Sequence, residues 1–169
     1  MTNDIGIVGS LRAADGKGVV RMADRYDTDI NDLWSALTNP DRLARWIAVI
    51  KGDLVIGGEF HASFTSGWDG PCRVDVCDSP HRLQITMNPG EPDETVVEAV
   101  LAADDDGTKL VIEDRGLPLT DYAYHGAGWQ AHVEDLATYL AGREPSDWRA
   151  RWEQLTPKYL ELAKNVTGA

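Results

Sequence analysis

The chain is short of cysteine, of basic residues and of long apolar runs, and each shortage removes a class of protein. Cys72 and Cys77 are the only two cysteines among 169 residues, too few for a disulfide framework. They sit at odd spacing in one expected strand, so they should point to opposite faces and stay free, as in a reducing compartment. His61, His81, His125 and His132 form no His-x-x-x-His pair and the cysteines no Cys-x-x-Cys pair, so neither a metal nor another cofactor is expected. Sixteen Lys and Arg face 28 Asp and Glu, a net charge of −12. Such a chain repels nucleic acid and anionic membrane surfaces unless it carries a basic patch. The densest basic stretch, Arg143 to Arg151, is interrupted by Glu144 and Asp147 and is a mixed surface. No window holds the roughly 18 apolar residues needed to span a bilayer. Met-Thr-Asn-Asp at the start lacks the basic and apolar regions of a signal peptide, so a cytoplasmic location is expected. No Gly-x-Ser-x-Gly elbow and no P-loop is present, which argues against covalent and phosphoryl-transfer catalysis.

What remains is a chain 43% hydrophobic with six tryptophans, enough for one domain with a real core. Residues 5–27 read as a hairpin around the Asp-Gly turn of Ala14–Gly18. Asp29 is placed to cap a helix carrying Leu33, Trp34, Ala36 and Leu37. Asn39 ends that helix before Pro40 and caps a second short one. Asp53 to Phe60 reads as a strand with a bend at Gly57-Gly58, resuming as Phe60, Ala62 and Phe64. Further strands follow with two-residue periodicity: Cys72/Val74/Val76, Leu83/Ile85/Met87, Val97/Ala99/Leu101 and Leu110/Ile112. One apolar face per strand is the pattern of an antiparallel sheet covered on one side. The cover is a helix from about Asp121 to Ala141, striped by Trp129, Val133, Leu136 and Leu140 and stopped at Gly142. Gly126 leaves a gap in the stripe, read as either a close backbone approach or the start of a cavity. In the tail, Trp148, Trp152 and Leu155 form a second stripe. It must meet either the domain's own surface or a second copy, and Thr156-Pro157 is expected to restart the helix there.

The segments LWSALTNPDRLARW (33–46), DLVIGGEF (53–60), DDDGTKLVIED (104–114) and GAGWQAHVEDLATYLAG (126–142) resemble, in order and spacing, the Hsp90-ATPase-activator-homologue group. That group belongs to the START/Bet v 1-like helix-grip superfamily. The resemblance implies an α+β helix-grip fold. Its curved antiparallel sheet of six to seven strands would wrap a long C-terminal helix, with two short helices after the N-terminal hairpin. Residues 1–142 would form this domain and 143–169 a helical extension, on the domain or at a dimer interface through Trp148, Trp152 and Leu155.

The resemblance also implies a cavity between sheet and helix for a small apolar or amphipathic molecule. Phe60, Phe64, Val74, Ile85, Met87, Trp129 and Val133 would line it, although the same positions would fill a closed core. Asp114 keeps the inward parity of Leu110 and Ile112. It reads as a cavity carboxylate with a raised pKa, or as a partner of Arg115. His125 and His132 lie on one side of the helix, either orienting a ligand or reaching solvent. Tyr122 and Tyr124 offer hydroxyls near the helix start. Three functions fit: a ligand-binding module, a cyclase or hydro-lyase-like enzyme using these polar groups, and an Hsp90-type co-chaperone.

Overall fold

Two residues turn the first hairpin. In the computed structural model, which describes residues 6–166, Asp15 and Gly16 both take left-handed φ angles, 53° and 77°. That is the backbone of a type I′ hairpin turn, whose twist matches the strands it joins. β1 (Gly9–Ala14) and β2 (Lys17–Tyr26) pair antiparallel across it. Ile5, where the hairpin was expected to open, lies outside the described residues.

Both helix caps predicted from the sequence are made. The Asp29 carboxylate accepts from the Asp32 amide at the start of α1 (Ile30–Thr38). The Asn39 side chain accepts from Asp41 N at the start of α2 (Pro40–Trp46), with Pro40 in the first turn. Leu33, Ala36, Leu37, Leu43 and Trp46 are buried, and Trp46 Nε1 donates to the Ala36 carbonyl at 3.0 Å, locking α1 to α2.

The strand expected at Asp53–Phe60 is divided differently. β3 (Ala48–Gly52) precedes it, Asp53–Gly58 is a loop, and β4 is Glu59–Phe64. Val55 and Ile56, 59% and 65% exposed, are loop side chains whose hydrophobicity imitates a strand. Gly57 takes the expected left-handed bend, φ 77°, and its amide donates to the Val74 carbonyl. β5 (Asp69–Asp78), β6 (Arg82–Met87), β7 (Thr95–Asp104) and β8 (Gly107–Leu117) complete one eight-stranded antiparallel sheet, ordered β1-β2-β8-β7-β6-β5-β4-β3. Six to seven strands were expected. The additional one is β3, too short to show two-residue alternation, with Val49 half exposed.

A bulge between Val74 and Val76 corrects the cysteines as well. Cys72 pairs with Met87, Val74 with Ile85 and Cys77 with Leu83, so the extra residue returns Cys77 to the same inner face as Cys72. Both thiols are free.

α3 (Tyr122–Leu140) packs on β1, β2 and α2 and is backed by α4 (Trp148–Lys164). Ala127, Val133 and Leu136 face a core built with Val20, Met22, Leu110 and Ile112. α4 settles what the gap at Gly126 is for. A Cβ there would lie 2.6 Å from the Tyr159 ring, and one at Gly128 would lie 3.2 Å from Trp148, so the glycines admit α4 onto α3. Leu155 and Tyr159 are fully buried. Tyr159 Oη donates to Gln130 Oε1 at 2.6 Å and accepts from the Gly9 amide at 3.1 Å. Arg151 grips Glu134 at 2.6 and 2.9 Å. The tail stripe is thus met within the chain. Pro157 does not divide α4, which runs through it as one helix; the Thr156 hydroxyl bonds to the Trp152 carbonyl one turn back. No helix among the described residues is long and apolar enough to cross a membrane.

Candidate functional site

Because α3 lies over β1 and β2, it leaves the inner surface farther along the sheet to α1, which meets β7 and β8, and α2, which meets β3. A cavity of about 520 Å³ opens there, between the inner ends of β4, β6 and β8, the start of α3 and the first turn of α4. A smaller apolar recess of about 120 Å³ continues beneath α2, and Phe64, Met87 and Trp129 stand in the wall of both.

The residues expected to line the cavity separate into four groups. Phe60, Val74 and Ile85 line the apolar recess, while Phe64, Met87 and Trp129 border both spaces. Asp114, His125 and His132 line the larger cavity. Val133 and Tyr122 line neither: Val133 is in the core, its carbonyl facing the Tyr26 hydroxyl, and Tyr122 is pressed onto Gly18. Their stripe positions turn toward β2, where sheet and helix touch directly. Tyr124 does reach the rim.

Asp114 projects inward from β8, as its parity with Leu110 and Ile112 requires, and is 4% exposed. Trp129 Nε1 donates to its Oδ2 at 2.8 Å, and Oδ1 has no partner among the described residues. The pairing with Arg115 considered from sequence does not occur, since Arg115 turns to the opposite face and meets Glu98 and Glu113 at 3.3 and 3.2 Å. Burial raises the Asp114 pKa to about 7, with the Trp129 hydrogen bond opposing. A carboxyl so placed gives up or accepts a proton near neutrality.

His132 is 5% exposed, which removes the solvent-facing alternative. Its ring centroid lies 5.3 Å from Trp148, 5.6 Å from Trp129 and 6.0 Å from Phe64. Nδ1 has no partner among the described residues, and burial lowers the pKa to about 3, so the ring is neutral. His125 stands exposed at the rim, and burial by the side chains crowding its ring lowers its pKa.

Sequence reasoning missed Trp68 and gave Trp148 and Trp152 no part in the cavity wall. The last two stack at 6.0 Å and form the outer wall. Trp148 Nε1 donates to the Gly128 carbonyl and Trp152 Nε1 to the Tyr124 carbonyl, which fixes both rings at the mouth. The small residues at 126 and 128 were the signal for this contact. Among the described residues no group of three or more His, Cys, Asp or Glu side chains is placed to hold a metal.

An antiparallel sheet, a long helix across it and a cavity between them define a helix-grip protein. The family model described as "Activator of Hsp90 ATPase homolog 1-like protein" matches residues 27–141, and the chain belongs to that family. CalU16 from Micromonospora echinospora is similar throughout. Its crystal structure has TM-score 0.75 at 24% identity, covering 93% of this chain and 96% of that one. Its solution structure has TM-score 0.72 at 25% identity, covering 97% and 98%. DynU16, described as a putative protein in the dynemicin biosynthetic locus, has TM-score 0.70 at 27% identity over 79% of this chain and 51% of that one. No curated protein matches the chain.

Proposed function

We propose that the chain binds a small amphipathic molecule in the cavity between the sheet and α3. The observation that carries this reading is a space of about 520 Å³ whose wall holds several aromatic rings and two buried polar side chains, Asp114 and His132, each with one unpartnered atom among the described residues. Leaving such atoms unpaired costs on the order of 1–3 kcal/mol each, a cost that a ligand with matching groups removes. The unpartnered groups lie in the cavity wall and not on the outer surface. A small molecule therefore fits better than the co-chaperone role that the family's description carries.

Native mass spectrometry of freshly purified protein, followed by solvent extraction, tests the reading. A released small molecule supports it, and its rebinding should weaken in a Trp129→Ala variant. A bare protein mass, with no binding from a library of aromatic amphiphiles, refutes it.

A second reading has an observation of its own. Asp114 titrates near neutrality and His132 is a neutral base, and the Trp129 indole touches both. Asp114 suits proton transfer during cyclisation or dehydration of a bound chain, and the neutral His132 ring can hold that chain by a hydrogen bond. On this reading His132→Ala abolishes turnover of the extracted molecule even at saturating concentration. Unchanged turnover removes the enzyme reading and leaves binding.

A further inference from the structure

The cavity's charges show which amphipathic molecules suit it. Asp93 and Asp121 stand in its wall, and Asp114 lies inside with Oδ1 unpartnered. The cationic side chain lining the space is Arg149, whose guanidinium lies 5.9 Å from the Trp152 ring centroid and whose Nε is 3.6 Å from Glu153. Arg115, next to Asp114 in sequence, is engaged by Glu98 and Glu113 on the far face of the sheet. His125 and His132 are both shifted toward the neutral form. An anionic ligand would meet three acids and, among the described residues, no cation in the wall other than Arg149. The wall also carries the aromatic rings of Trp68, Trp129, Trp148, Trp152, Phe64 and Tyr124, with Met87, Leu117 and Pro118 among them. Aromatic faces with a carboxylate are the arrangement that holds an organic ammonium, through the ring quadrupoles and a charge-assisted hydrogen bond.

Resting on the small-molecule reading above, we propose that the occupant carries a protonated amine on an apolar, ring-bearing body. Its ammonium is directed at the Asp114 carboxylate, and its body lies against the tryptophans. The ammonium supplies Asp114 Oδ1 with a donor and keeps that carboxyl ionised, while the tryptophans replace its water. The acidic rim and the net charge of −12 raise the local concentration of cations over anions before entry.

Isothermal titration of the full chain with three indoles of one shape tests this: tryptamine, its alcohol tryptophol, and indole-acetate. At about pH 8, where the primary amine is protonated, tryptamine should bind at least about tenfold more tightly than tryptophol, and indole-acetate most weakly. Asp114→Asn keeps an acceptor for Trp129. It should remove the tryptamine advantage and leave tryptophol within about twofold, which also shows that the variant is folded. Tryptophol binding as tightly as tryptamine overturns the ammonium proposal while sparing the cavity. An advantage that survives Asp114→Asn overturns it too, by moving the cation to another acid. If none of the three binds, both the ammonium proposal and the cavity reading that it rests on fall for this ligand size.

Discussion

Asp114 and His132 should give the stability of this protein opposite pH slopes over one window, and removing either side chain should expose the other. Asp114 is an acid whose folded pKa is raised to about 7 from 3.8. Its contribution is complete below its unfolded pKa and is lost as pH rises through the folded one. His132 is a base whose folded pKa is lowered to about 3 from 6.5. Its contribution is complete above its unfolded pKa and is lost as pH falls through the folded one. Each group, where its folded and unfolded states differ by one proton, has a slope of about 1.4 kcal/mol per pH unit. The windows overlap from about pH 4 to 6.5, where the two slopes cancel. Over its full range each group amounts to about 4 kcal/mol, a large part of the 5–15 kcal/mol typical of a domain. Urea unfolding in steps across about pH 4 to 7.5, on wild type, Asp114→Asn and His132→Phe, reads this directly. Phe suits position 132 because the site is already aromatic on three sides. Relative to wild type, Asp114→Asn should gain stability with rising pH and His132→Phe should lose it. Asp135, raised to about 6 by burial, titrates in all three proteins and drops out of the differences. Difference curves flat with pH would mean that neither group is held in its uncharged form, and the account of the cavity interior would fail.

Four further substitutions test the packing and its hydrogen bonds. Gly126→Ala places a methyl 2.6 Å from the Tyr159 ring, so overpacking should exceed the helix-propensity gain and cost about 1–2 kcal/mol by urea midpoint. Gly128→Ala, 3.2 Å from Trp148, should change stability by less than about 0.5 kcal/mol. Tyr159→Phe removes the donor to Gln130 and the acceptor for the Gly9 amide. It should cost about 1–2 kcal/mol and speed hydrogen exchange at Gly9 more than at β7; equal protection would refute the clasp. Trp129→Phe strips Asp114 of its donor, so the loss should be about 1–3 kcal/mol above pH 7 and smaller near pH 5, where the carboxyl is protonated. A loss independent of pH would point to packing alone.

The sequence by itself determined what depends on neighbours along the chain. The caps at Asp29 and Asn39, the Asp15-Gly16 turn, the bend at Gly57, the stop at Gly142 and the inward parity of Asp114 were all legible. Each follows from one residue's backbone preference or from a period of two or 3.6. Where local hydrophobicity and tertiary need disagree, the sequence misled. Val55 and Ile56 look like a strand and are loop, while Ala48–Gly52 looks like nothing and is β3. One bulged residue in β5 reverses the face of Cys77, and a period-two pattern carries no mark of that. Helical spacing selected Tyr122 and Val133 with Trp129, but only the position of α3 over β2 decides which of them meets the sheet and which meets open space. The use of Trp148 and Trp152 as cavity wall required α4 to fold back onto Gly126 and Gly128, a contact between segments about 20–30 residues apart. Burial of Asp114 and His132, and with it their displaced pKa values, is a property of all the elements around them. Desolvation depends on every atom nearby, and no single stretch of sequence contains it.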